Sequence, residues 1–79
     1  MLTNLTVMEK VVGAKQAKRA LRDGKAKRVY LAEDADPRVT EPIAELCAKD
    51  GVPVERVSRM KDLGDACGIT VGAAVVAAL

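Results

Sequence analysis

Apolar and polar residues alternate along the chain in short blocks that predict helices and strands in turn. Val29–Ala32 is a short, continuously apolar run, which is typical of a buried strand. The predicted elements, in chain order, are a helix from Asn4 to about Val12, a helix from Ala14 to Arg22 that ends near Gly24, a strand over Val29–Ala32, a helix that Asp36 and Pro37 begin and Gly51 ends, a strand over Val52–Val57, a helix over Lys61–Cys67 that Gly68 stops, and a strand over Gly72–Ala78. Strands that alternate with helices predict an α/β layered sandwich rather than a helical bundle.

The helix after the first strand carries conflicting signals at its start. Asp36 followed by Pro37 is the usual beginning of a helix, a capping carboxylate and then a proline at the first position. Pro42 lacks a backbone N–H and disturbs a helix interior. Two alternatives follow from this proline: the regular helix starts later, with Thr40 as its cap, or it is kinked at Pro42.

Composition limits the kinds of function that the chain can have. Its 79 residues fit one domain, and 49% of them are apolar, which favours a folded core over disorder. The chain has no His, the commonest general base and metal ligand, and Tyr30 is its one aromatic residue. Proteins that bind single-stranded nucleic acid by stacking bases on aromatic side chains are therefore disfavoured.

The two cysteines and the apolar segments predict a cytoplasmic protein. Cys47 and Cys67 match no zinc or redox spacing, and we expect two buried, reduced thiols rather than the alternative, a lone structural disulfide. The first residues lack the basic start and apolar run of a signal peptide. The longest apolar stretch, Ile69 to Leu79, is far shorter than the ~20 residues of a membrane helix, so no membrane partner is expected.

The formal net charge of +2 conceals an uneven distribution of charge along the chain. Residues 1–28 carry a net charge of +6, residues 29–57 carry −4, and residues 58–79 are neutral. This asymmetry suggests that one end of the molecule faces a polyanion.

The predicted helix after Gly13 concentrates this positive charge on one side. Four basic residues fall within a stripe about 100° wide: Lys15, Lys18, Arg19 and Arg22. The opposite side is apolar and must face the core: Ala14, Ala17, Ala20 and Leu21. Like charges three and four positions apart repel, and lysines near a helix N-terminus oppose its dipole, so the arrangement favours a helix that binds phosphates. An ordinary lysine-rich solvent face remains the alternative for this segment.

Three acids follow the first predicted strand: Glu33, Asp34 and Asp36. Acids in this place can hold a metal ion or accept a phosphoryl group in an α/β fold. No base, nucleophile or phosphate-binding loop accompanies them, so an enzyme is disfavoured. We expect Asp36 to cap the next helix and the other two acids to be solvated, with no metal, no cofactor and no catalytic residue.

Three segments in order resemble a known family. They are Gly13-Ala14-Lys15-Gln16-Ala17-Lys18-Arg19, Ala32-Glu33-Asp34-Ala35-Asp36-Pro37 and Leu63-Gly64-Asp65-Ala66-Cys67-Gly68-Ile69. Together they resemble the ribosomal protein L-seven-Ae superfamily, which binds kink-turn RNA, and especially its short bacterial members. The resemblance implies a three-layer α-β-α sandwich around a small mixed sheet of about four strands. It also implies a cytoplasmic, ribosome-related RNA binder without enzymatic activity.

The resemblance further implies which residues touch RNA. The helix start at Gly13 would enter the RNA groove at tandem sheared G·A pairs, through Lys15, Gln16 and Arg19. Many family members have Asn-Glu where this chain has Lys15-Gln16. A Glu carboxylate can accept from two guanine N–H groups, whereas the Gln16 amide offers one acceptor oxygen and a donor. Lys15 adds a positive charge, which shifts binding toward phosphates. By the same resemblance, Asp36, Thr40 and Lys61 would line a pocket for an extruded base, and Ile69, Thr70 and Val71 would form the loop that packs against that base. The predicted RNA-binding set consists of these six residues and of seven residues at and along the basic helix: Gly13, Ala14, Lys15, Gln16, Lys18, Arg19 and Arg22.

Two functions from different classes therefore remain at this stage. The leading hypothesis is a monomeric kink-turn RNA-binding protein that takes ribosomal RNA or a riboswitch, and not DNA, as its partner. The alternative is a protein–protein interaction module that docks an acidic partner surface, which would use the same basic helix face without selecting RNA.

Overall fold

A computed structural model describes residues 9–79, and its elements alternate between strand and helix. In chain order they are β1 (Lys10–Val12), α1 (Ala14–Arg22), β2 (Arg28–Ala32), α2 (Pro37–Asp50), β3 (Val54–Val57), α3 (Met60–Ala66) and β4 (Val75–Ala78). None of the three helices in this part of the chain is long and apolar enough to cross a membrane.

The four strands form one mixed sheet in the order β1-β4-β2-β3. β4 lies between β1 and β2 and runs antiparallel to both, with Val12 opposite Val76 and Leu31 opposite Val75. β2 and β3 are parallel, and Ala32 pairs with Val57 at their carboxyl ends. The mixed sheet of four strands that the resemblance implied is therefore confirmed.

The sheet separates two apolar clusters because neighbouring residues of a strand point to opposite faces. On one face, Val29 and Leu31 of β2 pack with buried residues of α1 and α2, including Leu21 and Ile43. On the other face, Tyr30 and Ala32 pack with α3 through Leu63 and Cys67. Helices on both faces of a central sheet make the predicted three-layer α-β-α sandwich.

The sequence prediction for residues 10–12, which placed them in a helix, is wrong. Lys10, Val11 and Val12 form β1, an edge strand whose partners are Ala78, Ala77 and Val76. The β-branched valines fit a pleated strand, and pairing with β4 satisfies backbone groups that a short isolated helix would have to satisfy alone. The predicted cap, Asn4, and the rest of that predicted helix lie outside the described residues.

The other boundaries differ from the predictions by a few residues for local reasons. β3 starts at Val54 rather than Val52, after Pro53, which has no N–H to donate to a strand partner. β4 starts at Val75 rather than Gly72, and α3 covers Met60–Ala66 rather than Lys61–Cys67.

The start of α2 decides one of the two alternatives that Pro42 left open. The helix is regular from Pro37, and the Asp36 carboxylate accepts a hydrogen bond from the backbone N–H of Arg38. Asp36 is therefore the cap, and the alternative with Thr40 as cap is wrong. α2 continues through Pro42 with one intrahelical hydrogen bond fewer, and Gly51, in a left-handed conformation with a φ of 71°, ends the helix as predicted.

Candidate functional site

Most of the predicted site residues lie at one edge of the sheet because of its strand directions. β1 and β2 are both antiparallel to β4, and β3 is parallel to β2, so the carboxyl ends of β1, β2 and β3 share an edge. We call this the carboxyl edge. All three helices start there, and residues 67–74, which lead into β4, end there.

The N-terminus of α1 is open at this edge. Gly13 precedes the helix with a φ of 108°, a conformation that L side chains rarely adopt, and no side chain caps the helix. The Gly13 N–H donates to the Val75 carbonyl oxygen at 2.8 Å, which ties the helix start to the sheet. The backbone N–H groups of Ala14, Lys15 and Gln16 have no carbonyl acceptor within the helix, and no acid occupies the first turn. Such a helix start favours the binding of an anion.

The predicted basic stripe of α1 is exposed along the whole helix. Ala17, Ala20 and Leu21 are buried, so the apolar side faces the core as predicted. The four basic residues of the stripe are all exposed, and none belongs to an ion pair among residues 9–79: Lys15, Lys18, Arg19 and Arg22. A shallow depression of about 260 Å³ is lined by Lys15, Gln16, Arg19 and Arg22. The seven-residue separation of Lys15 and Arg22 corresponds to ~10 Å along the helix axis, so Arg22 lies well away from the carboxyl edge.

Asp36 closes the N-terminus of α2. Besides accepting from the Arg38 N–H at 2.9 Å, its carboxylate pairs with the Arg38 guanidinium, with Nη2 2.8 Å from Oδ2. The Arg38 side chain, and then its backbone N–H, hold the pKa of Asp36 below its ordinary value. Asp36 thus has a structural role in the helix, as predicted, whether or not a ligand also approaches it.

Asp34 closes the N-terminus of α3 from a distant part of the chain. The backbone N–H of Met60 donates to Asp34 Oδ1 at 2.8 Å, across 26 positions of sequence. α3 has no side-chain cap from Arg59, the residue that precedes it, so Asp34 supplies the missing acceptor. Asp34 is exposed, as predicted, but its carboxylate also joins the β2–α2 turn to α3, which the sequence did not indicate.

The loop of residues 67–74 is held closely over α3. The Ala73 N–H donates to the Met60 carbonyl oxygen at 3.0 Å, so Asp34, Met60 and Ala73 form a continuous chain of contacts across three segments. A Cβ at Gly64 would overlap the carbonyl oxygen of Val71, so the loop lies this close only because position 64 is glycine. This identifies Gly64 as a positioning residue for the loop.

The three predicted loop residues differ in exposure. Ile69 is half-buried and packs against the apolar cluster beneath α3, whereas Thr70 is exposed. Val71 is 68% exposed, which is unusual for a large apolar side chain in this molecule. An exposed valine on a tightly held loop offers an apolar surface to a ligand at the carboxyl edge.

The structure does not place all the predicted pocket residues around one cavity. Thr40 is 7% exposed, on the inner side of α2. It lines an open depression of about 400 Å³ together with Glu33, Ala35, Pro37, Glu41 and Arg56. Asp36 and Lys61 do not line this depression; Lys61 is exposed on the first turn of α3.

Sequence reasoning missed Asp34, Gly64 and Arg38 as residues that shape this edge. The pair Asp36 and Arg38 has the i, i+2 spacing of a capping carboxylate and its donor, a signal that the sequence contained. Asp34 and Gly64 act through residues that are distant in sequence or on a loop, and their spacing gives no comparable signal.

The acids and thiols of residues 9–79 do not assemble a metal site, since no three of them converge. Both cysteines are free and buried, as predicted, and they lie on opposite faces of the sheet. Burial raises the pKa of each thiol, Cys47 and Cys67, above its ordinary value.

Comparison with known proteins gives consistent matches over most of the chain. The family model described as "Ribosomal protein L7Ae/L30e/S12e/Gadd45 family" matches residues 6–79. An RNA-binding protein of Geobacillus sp. (strain WCH70) is 54% identical over 67 residues, which are 85% of this chain and 82% of that protein. The RNA-binding protein YbxF of Geobacillus stearothermophilus is 49% identical over 69 residues, 87% of this chain and 84% of that one.

The fold is also found among solved structures. The 15.5kD RNA binding protein of Giardia lamblia superposes with a TM-score of 0.82 and 31% identity, over 87% of this chain and 58% of that chain. The family model spans nearly all of the sequence, and the two bacterial relatives are identical to it at about half of the aligned positions. This chain belongs to the ribosomal protein L7Ae/L30e/S12e/Gadd45 family.

Proposed function

We propose that this chain is an RNA-binding protein that recognises kink-turn RNA with the N-terminus of α1. The observation that carries the proposal is that α1 is the one helix start at the carboxyl edge, within residues 9–79, whose amides meet no carboxylate. The adjoining helix face is basic and has no ion pairs within those residues. The names of the bacterial relatives and of the Giardia protein support RNA as the ligand.

The chemistry of α1 suits a bent RNA better than a regular duplex. A-form RNA hides its base edges in a deep, narrow groove, whereas a kink exposes bases and brings phosphates close together. In this proposal the Gln16 amide contacts base edges at the sheared G·A pairs, because it can both donate and accept. Arg19, one helical turn after Gln16, contacts base edges at the same pairs, and Lys15 contacts phosphates.

The loop that Gly64 positions would contact the extruded base. Val71 offers an exposed apolar surface, and Ile69, two positions before it, packs against the apolar cluster beneath α3. An apolar loop can cover an unstacked base without an aromatic side chain, which fits a chain whose one aromatic residue, Tyr30, is buried. Asp36, Thr40 and Lys61 would lie at the margin of this contact rather than form an enclosed pocket.

We propose a cytoplasmic, ribosome-related role without catalysis, cofactor or DNA, for a chain that binds as a monomer. The natural target is then ribosomal RNA or a riboswitch that contains a kink-turn.

A gel-shift titration with two RNAs of equal length tests the proposal. One RNA contains a kink-turn, and the other is a plain duplex with the same number of phosphates. We expect selective binding of the kink-turn, and we expect Gln16→Ala or Arg19→Ala to weaken it by about 1–3 kcal/mol, by analogy with base contacts in DNA.

Lys10→Ala is the matched control. Lys10 pairs with Ala78 in β1 and β4, on the face that α3 covers, so its loss removes one charge without touching α1. Equal affinity of the wild-type protein for the two RNAs would contradict the proposal. Capture of an acidic protein that survives nuclease treatment, with no selection of RNA, would favour the protein–protein alternative instead.

A further inference from the structure

The basic face of α1 also lines a second feature, which lies between α1 and α2 and extends past the predicted site. It is an open groove of about 890 Å³ with an apolar floor that includes Leu21, Leu46 and Val52. Five basic side chains and one acid, Asp50, line it; the basic ones are Lys15, Lys18, Arg19, Arg22 and Lys49. Lys49 is the new member of this set, since it belongs to α2 and was not among the residues predicted to bind RNA.

The positive charge of the groove is not neutralised within the described part of the molecule. None of the three ion pairs found there involves a groove residue. Cations near the C-terminus of a helix are favoured by its dipole, which accounts for Arg22 and Lys49 at the ends of α1 and α2. The dipole does not account for Lys18, which lies in the middle of α1 and within one turn of two other cations.

The groove is continuous with the surface proposed above. Lys15, Arg19 and Arg22 line both the groove and the shallow depression beside Gln16. A helix of nine residues is ~13 Å long, so this basic surface extends well beyond the reach of a single phosphate. The groove contains no aromatic side chain on which a base could stack, so the matching ligand is a sugar-phosphate backbone.

We infer that the groove between α1 and α2, with Lys49 on its far side, holds the sugar-phosphate backbone of an RNA stem that adjoins the kink. This inference rests on the proposed function and extends it, because it assigns a second contact to the same RNA. The groove supplies affinity and salt dependence, whereas the N-terminus of α1 supplies selectivity for the kink.

Two RNAs that share one kink-turn test the inference. One keeps a long flanking stem, and in the other the stem is trimmed next to the kink. We expect Lys49→Gln to weaken binding of the long RNA severalfold and to reduce the slope of log affinity against log salt by about one. Lys49→Glu should weaken it further, and both variants should bind the trimmed RNA as the wild-type protein does.

Lys10→Gln is the control for a general loss of positive charge, since Lys10 lies on the opposite face of the sheet. Circular dichroism of each variant should show the helix content of the wild-type protein. The inference is overturned if Lys49→Gln binds the long RNA as tightly as the wild-type protein does. It is also overturned if Lys49→Gln lowers the affinity for both RNAs by no more than Lys10→Gln does. Failure of the proposed function shows itself differently, because the wild-type protein would then bind the kink-turn no better than a duplex.

Discussion

Three helices begin at the carboxyl edge of the sheet, and they differ in what satisfies their first backbone amides. α2 is capped by its own preceding residue, Asp36, and α3 receives the carboxylate of Asp34 from another segment. α1 follows Gly13, which has no side chain, and its first turn contains no acid. Two of the three helix starts are therefore closed by the chain, and the third is left for an external acceptor.

Ion pairs follow the same division. Arg38 pairs with Asp36 at the start of α2, and Arg59 pairs with Asp62 at the start of α3. The basic residues of α1 belong to none of the ion pairs seen in residues 9–79. Exposed ion pairs contribute little to stability, so their importance here is that they occupy the arginines of α2 and α3 and leave those of α1 available.

The largest expected effect comes from closing α1 with a charge. Lys15→Glu places a carboxylate in the first turn, where its interaction with the helix dipole should stabilise the protein by about 0.3–1 kcal/mol. The same carboxylate repels RNA phosphates, and we expect affinity for kink-turn RNA to fall at least tenfold, which is about 1.4 kcal/mol. Urea denaturation and RNA titration of the same sample measure the two effects.

Lys18→Glu is the matched control for Lys15→Glu, because it makes the same change of charge one turn farther along the same exposed face. We expect it to weaken RNA binding less. Each variant replaces repulsion with attraction at one i,i+3 and one i,i+4 spacing, so we expect Lys15→Glu to be the more stable of the two by the contribution of the dipole alone. If both variants change stability and affinity equally, the open helix start has no special role, and only the net charge of α1 matters.

A smaller effect, on stability, is expected from removing the carboxylate that caps α3. Asp34→Ala removes the acceptor of the Met60 N–H and should lower the free energy of unfolding by about 1 kcal/mol, the usual value for a lost helix cap. Asp34→Asn keeps a side-chain oxygen at the same place and should retain most of the stability. Hydrogen exchange at the Met60 and Ala73 amides should become faster in Asp34→Ala and stay slow in Asp34→Asn. An alanine variant as stable as the asparagine variant would show that this contact does not hold α3.

Local patterns in the sequence were sufficient to predict α1, α2 and the layered fold. α1 has an apolar side of small residues and a basic side, and both reside on the faces that a period of 3.6 residues requires. Asp36-Pro37 indicated the start of α2, because the cap and its donor are two positions apart, although Pro42 left a later start at Thr40 open. In each of these cases the decisive contact lies within one helical turn.

The features that the sequence did not reveal depend on contacts between distant residues. Val11 and Val12 fit a helix face as well as a strand, and only their pairing with β4 decides between the two. The acceptor for α3 lies 26 positions away in Asp34, and the need for glycine at position 64 comes from the loop that passes over it. Neither relation has a fixed spacing that could be recognised in one sequence.

The smallest expected effect concerns the closed start of α2 and its dependence on pH. The Arg38 side chain, with a smaller contribution from its backbone N–H, lowers the pKa of Asp36 below its ordinary value of 3.8. Because the folded-state pKa is the lower one, the stabilisation is fully present above the unfolded value and is lost as the pH falls through the folded value. Arg38→Ala should therefore move the Asp36 titration, followed by carboxyl NMR shifts, back toward 3.8 and flatten the acid side of the stability curve.

Glu45→Gln, on the same helix and outside the three ion pairs found in residues 9–79, should leave the Asp36 titration where it is. An Asp36 that titrates at or above 3.8 in the wild-type protein would show that its pairing with Arg38 does not persist in solution, and that α2 begins less firmly closed than α3.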